Sequence, residues 1–155
     1  MKIALNSDDR EILKQSLNDV LKNKNINSMK KSIQHGKTST YKHCLRVAII
    51  SFLIVKYLKV NIDIKNLLKG AFLHDYFLYD WHLKGDKLHG FNHPHIAVKN
   101  AKRDFNISDE TTKIIETHMF PLTITKPPRS LSAIIVCIAD KIAAINELEL
   151  KKFFN

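Results

Sequence analysis

The chain has 155 residues, of which 45% are apolar, two cysteines and a net charge of +10; it is long enough to bury one core without disulfide or metal staples, so a single domain over 1–155 is expected. Its longest uncharged apolar runs, 47–55 and 131–139, fall short of the roughly 20 residues of a membrane-spanning helix, and the N-terminus lacks the succession of a secretory signal, so a reduced, cytoplasmic protein with no membrane segment is expected. Nine of its 25 basic residues and no acid lie between Val20 and Ile62; Lys22, Lys24, Lys30, Lys31, Lys37, Lys42 and Arg46 form either a solvated face or a field that attracts phosphate-rich ligands or nucleic acid through 22–46.

Apolar positions recur at helical spacing along almost the whole chain, without sustained alternation, which predicts an all-α fold of about seven helices. Ser7 can cap a first helix over about 8–21, with Asp8, Asp9 and Glu11 complementing its dipole. A short basic helical piece over 28–34 ends at His35-Gly36. The helix over 38–60 is apolar almost all round and reads as central; His43 lies in its first turns. Asp63 can cap the next helix, expected to run through Phe77, with Leu67, Ala71 and His74 on one face; Gly70 leaves room for a close neighbour.

The stretch 79–92 reads as the longest irregular connection, carrying Tyr79, Trp81, His82, Gly85, His89, Gly90 and Phe91. Its aromatic residues either stack on a base or cover the edge of the core. Pro94 suits the first position of a helix to about Phe105, which places His93 at the mouth. Ser108 caps a helix carrying Ile114, Ile115 and His118 that Pro121 closes. Ser130 or Ser132 opens the last helix, to about Leu148, with Asp140 on its apolar side.

Asp140 follows Ile134, Ile135, Val136, Cys137, Ile138 and Ala139. A carboxylate buried there without a partner would cost several kcal/mol, on the order of a lost buried ion pair, so it must meet a cation. Cys44 and Cys137 sit in the same kind of apolar surroundings, where a thiol packs as a small hydrophobe. Histidines and carboxylates from separate segments, His43, His74, Asp75, His93, His118 and Asp140, are ligand types for two divalent metals with open positions for water and substrate.

The order His43, His74-Asp75, Asp140, each on its own helix, resembles the HD-domain metal-dependent phosphohydrolase superfamily, an all-helical fold named after that dipeptide. The stretch from His93 through Pro94 and His95 to Ala101, followed by Ile114-Ile115-Glu116-Thr117-His118, is similar to the insert that gives some members two additional histidine ligands. The resemblance implies an HD-type bundle with a core over about 38–148 and an N-terminal helical extension over 1–37. It further implies a binuclear centre of iron, manganese, cobalt or nickel, with Asp75 bridging and His74 and Asp75 central to catalysis. Two such ions would make a shared water acidic enough to react at neutral pH, for cleavage of a phosphomonoester or phosphodiester, in this reading that of a nucleotide. Where many members continue the dipeptide with Ile-Gly-Lys, this chain has Tyr76-Phe77-Leu78, so that lysine's role cannot be carried over. Arg46, His95, Arg129 and Lys141 are the candidates for gripping substrate, and Glu116, Asp80 or Asp86 for orienting a histidine. A di-iron oxygenase and a non-catalytic nucleotide- or RNA-binding domain are the alternatives.

Overall fold

In a computed structural model of the chain, the described residues are 5–35, 37–80 and 88–153. Within them the fold is all-α, an HD-type bundle of seven helices with one small hairpin. The helices are α1 (Ser7–Leu21), α2 (Ile26–Lys31), α3 (Thr40–Leu58), α4 (Ile64–Leu73), α5 (His89–Asp104), α6 (Asp109–Thr117) and α7 (Leu131–Phe153), with β1 (Ile33–His35) pairing antiparallel with β2 (Thr38–Ser39) between α2 and α3. No helix among the described residues is long and apolar enough to cross a membrane.

The helix covered on all sides is α4 rather than α3. Every residue from 67 to 77 is buried, because α1, α3, α6 and α7 all pack against α4, whereas α3 exposes Tyr57 and Leu58 at its end. Gly70 is what lets α6 approach: a Cβ there would lie 2.7 Å from Ile114 Cγ2. The close neighbour is thus a side chain, and it fills the space glycine leaves. Burying α4 also buries Lys69, whose ammonium is paired with Asp19 on α1.

Local signals fix most helix starts. Asp63 and Ser108 cap α4 and α6 as expected, accepting from Asn66 N (3.0 Å) and Thr111 N (3.1 Å). At α1 the cap is Asn6 instead of Ser7, because Asn6 and Asp9 form a reciprocal capping box in which each side chain accepts the other's backbone N–H. Ser130 opens α7, accepting from Ala133 N at 3.2 Å, while Ser132 donates to Glu110.

Three elements differ from expectation. The basic piece stops at Lys31, and the residues after it turn into the hairpin, with Thr40 N bonded back to Ser32 O at 2.9 Å. Helix α4 ends at Leu73, four residues early, and α5 begins at His89, inside the stretch read as irregular, with buried Pro94 in the helix interior. Proline there removes the bond that its own N–H would have made to the Gly90 carbonyl, and its ring crowds that carbonyl. Trp81, His82, Gly85 and Asp86, like Gly36, lie outside the described residues.

Candidate metal centre

The termination of α4 at Leu73 positions the His-Asp pair. Successive helical residues point about 100° apart, so two neighbours within one helix cannot address one point. His74 is the last residue in helical conformation and Asp75 lies in the following turn, fixed by Tyr76 N to Leu73 O (3.1 Å) and Phe77 N to Asp75 O (2.9 Å). Asn100 on α5 ties the departing chain down by donating to the Tyr76 and Phe77 carbonyls.

Each of four imidazoles has its Nδ1 engaged. His74 Nδ1 lies 2.7 Å from Ala71 O and His118 Nδ1 2.7 Å from Ile115 O, both on carbonyls of the helix each residue caps; His93 Nδ1 lies 2.8 Å from His89 O. Such carbonyls in the last turn lack helical N–H partners, so the ring N–H satisfies them and fixes the tautomer. On α3, His43 Nδ1 meets the Glu147 carboxylate at 3.1 Å. With the proton on Nδ1 in each ring, Nε2 presents a lone pair, and all four Nε2 atoms converge.

They converge on Asp75. Its Oδ2 lies 3.3 Å from His74 Nε2 and 3.8 Å from His43 Nε2, and its Oδ1 lies 3.1 Å from His93 Nε2 and 3.5 Å from His118 Nε2. Asp140 Oδ1 joins the first side, 3.0 Å from His43 Nε2 and 3.6 Å from His74 Nε2. Three groups among the described residues could hold an ion, His43 with His74 and Asp140, Asp75 with His93 and His118, and Cys44 with His74 and Asp75; burial keeps the Cys44 thiol protonated, which leaves the first two trios. All six residues sequence reading singled out as ligands are thereby brought together.

The donor set fits cations. Asp75 Oδ1 and His74 Nε2 are buried yet have no hydrogen-bond partner among the described residues, an arrangement that costs about 1–3 kcal/mol per group unless something else satisfies it. His93 Nε2 and His118 Nε2 are 2.9 Å apart. Two lone pairs that close repel, and a cation held by both nitrogens would remove that repulsion.

Without a metal, the carboxylates and imidazoles answer one another. Burial disfavours charge on His43, but Asp140 and Glu147 outweigh it and push the ring up to about 9. Burial likewise opposes ionisation of Asp75 and Asp140, yet His74 and its neighbours hold Asp75, and His43 and His74 hold Asp140, well below the usual carboxylate range. Burial pushes His118 down. A cluster of this kind binds protons where it would otherwise bind cations.

Sequence reading missed two residues here. Glu147, 4% exposed on α7, orients His43, whereas Glu116 and Asp80 are half-buried near the surface. The signal was available, since Glu147 follows Asp140 by seven residues and so returns to the same helix face. Gln34 on β1 donates from Nε2 to Asp75 Oδ2 at 2.5 Å. It was hidden because the strand is turned inside out, with Ile33 42% exposed and Gln34 buried. His89 stacks on His93, its ring centroid 4.6 Å away, with Tyr79 hydroxyl on its Nδ1.

The four candidate substrate residues separate. Lys141 stands beside the cluster, its Nζ donating to His118 O at 2.8 Å and lying 3.6 Å from Asp140 Oδ2. Arg46 instead binds Glu147 at 2.6 Å and so supports His43. His95 is exposed beside Lys126, and exposed Arg129 lines a neighbouring surface groove that shares Glu116 and Lys126 with the groove at His95 and Phe91. The run before Asp140 is less buried than its composition suggests, because Ile134 and Ile138 face solvent; the Asp140 side chain itself is 13% exposed. Cys44 is fully buried against His74, and burial pushes both its thiol and that of Cys137 up, which keeps them protonated.

The family model described as the HD domain matches residues 40–145, from the first residue of α3 into α7. Neither the curated proteins nor the solved structures give a match. With about two thirds of the chain matched on an all-helical bundle built around a His-Asp cluster, the protein belongs to the HD-domain family, part of a superfamily of metal-dependent hydrolases.

Proposed function

We propose that the chain is a metal-dependent phosphohydrolase with a two-metal centre, acting on a phosphomonoester or phosphodiester of a small molecule, a nucleotide foremost. One observation carries the reading: the Asp75 carboxylate stands between the trio of His43, His74 and Asp140 and the pair of His93 and His118, one oxygen facing each. His43, His74 and Asp140 with Asp75 Oδ2 would hold one ion, and His93 and His118 with Asp75 Oδ1 the second.

When bound, two divalent ions supply a water that is reactive at neutral pH and positive charge for phosphate oxygens. The chain's own residues do the rest. Two aspartates leave a pair of divalent ions net positive, which favours an anionic substrate. Of the six ligands Asp140 is the most accessible, the others being at most 4% exposed, so substrate approaches past Asp140. Lys141 stands at that rim, 40% exposed, and its ammonium meets the incoming phosphoryl group. The imidazoles, tied through Nδ1, keep their orientation without reorganising.

Elemental analysis of freshly purified protein together with phosphate release from a panel of nucleotides and sugar phosphates tests the reading. Two metal equivalents and release that depends on added Mn²⁺, Co²⁺, Ni²⁺ or Fe²⁺ and disappears in Asp75→Ala are expected. Oxygen consumption by the ferrous protein without phosphate release would replace it with an oxygenase. Nucleotide binding without turnover in any of these metals would make it a binding domain.

A further inference from the structure

Gln34 lies outside the matched HD segment 40–145, on the hairpin between α2 and α3, and its side chain is turned into the centre. Only 7% of the residue is exposed. Its Nε2 donates to Asp75 Oδ2, and its Oε1 lies 3.4 Å from Thr40 Oγ1 in the first turn of the helix that carries His43, a hydroxyl that lies equally 3.4 Å from Ser32 O. Thr40 is itself buried, and the hairpin is fixed to α3 by Thr40 N on Ser32 O. The carboxamide is thus held chiefly through its nitrogen on Asp75, with its oxygen facing Thr40.

We infer that Gln34 is a positioning residue that holds the Asp75 carboxylate in its bridging orientation; this rests on the two-metal reading above. A carboxylate between two ions has an alternative, which is to rotate and give both oxygens to one ion. A donor fixed on Oδ2 blocks that rotation by occupying one lone pair of Oδ2 and leaving the other for the His43, His74 and Asp140 side, so that Oδ1 stays directed at His93 and His118. The amide suits the task because it is neutral: a lysine or arginine in its place would add a positive charge beside two cations and weaken their binding, and a carboxylate would repel Asp75. The second site consists of two imidazoles and Asp75 Oδ1 among the described residues, so it has the most to lose when that oxygen turns away.

The test measures metal stoichiometry and affinity by elemental analysis and calorimetric titration with Mn²⁺, in the full chain, for Gln34→Ala and Gln34→Met, with the melting temperature of each metal-free protein. Methionine keeps the length of the buried side chain and cannot donate, so it carries the test if the alanine variant does not fold. Wild type is expected to take up two equivalents, and both variants to retain one and to bind the second about 10–100-fold more weakly, the usual cost of losing a partner of a metal ligand, while the metal-free Gln34→Met protein still melts cooperatively, its melting temperature lowered by no more than the loss of one buried hydrogen bond. Two equivalents bound by Gln34→Met with wild-type affinity would overturn the assignment, as would a loss of metal-free stability with unaltered metal binding. Fewer than two equivalents in the wild type would instead remove the two-metal reading itself.

Discussion

His43 and Glu147 meet across α3 and α7, Nδ1 to Oε2 at 3.1 Å, with both side chains fully buried, and Arg46 closes the far side of the carboxylate at 2.6 Å. The pair decides which nitrogen of His43 carries its proton and hence which one faces Asp140. Glu147→Ala is expected to weaken metal binding about 10–100-fold and to destabilise the protein by about 1–3 kcal/mol through the loss of its buried hydrogen bond to His43. Glu147→Gln, which keeps an acceptor, is expected to lose less of both. Calorimetric titration with Mn²⁺ checks this, and an alanine variant that binds like wild type would leave Glu147 a packing residue.

The two trios are separable by mutation. His118→Ala removes a donor from one side only, so elemental analysis is expected to find one equivalent remaining. His43→Ala is expected to empty the other side, and Asp75→Ala to weaken both. Equal loss in all three variants would mean one shared site in place of two.

Gly70→Ala tests the α4–α6 contact. Alanine favours the helix by up to about 1 kcal/mol, but its Cβ would lie within 2.9 Å of three Ile114 atoms, and overpacking of this kind costs about 1–3 kcal/mol. The expected net result is a lower urea midpoint. Because Ile114 is four residues before His118, metal binding is expected to weaken as well. A midpoint at or above wild type would show that the two helices can separate freely.

Acid stability is expected to depend on Asp104. Arg103 beside it, at 2.7 Å from both oxygens, then Asn25 and Tyr76, hold its carboxyl well below the usual range against the effect of burial. A carboxylate whose folded pKa is depressed contributes stability that is present above its unfolded pKa of about 3.9 and is lost as pH falls through the folded value. Asp104→Asn is therefore expected to be less stable than wild type at pH 7, with the difference narrowing below about pH 4. Denaturation curves at pH 7, 4 and 2.5 check it, and a gap that is constant with pH would exclude an ionic contribution.

Much of the fold was legible because it depends on local chemistry. The Asp63 and Ser108 caps and the apolar periods of α3, α4 and α6 are all written in short stretches. The errors arose where a local rule had a rival. Asn6 and Ser7 are both good caps, and only the reciprocal bond with Asp9 selects Asn6. Pro94 favours a helix start, but His89 already continues the helix upstream. The β1–β2 hairpin carries its polar residue inward, against the pattern by which strands are recognised.

Sequence alone determined which atoms are available: four histidines and two aspartates of the right chemistry, spaced along helices that must pack together, with the family resemblance that this order carries. Tertiary structure decided how they are used, because only the packing of α3 and α7 onto α4 sets Glu147 behind His43, and only the hairpin's fold over α3 brings Gln34 to Asp75. Such pairings join residues about 40 to 100 positions apart, and no local preference encodes a distance of that kind. It follows from the way the apolar faces of the helices exclude water together.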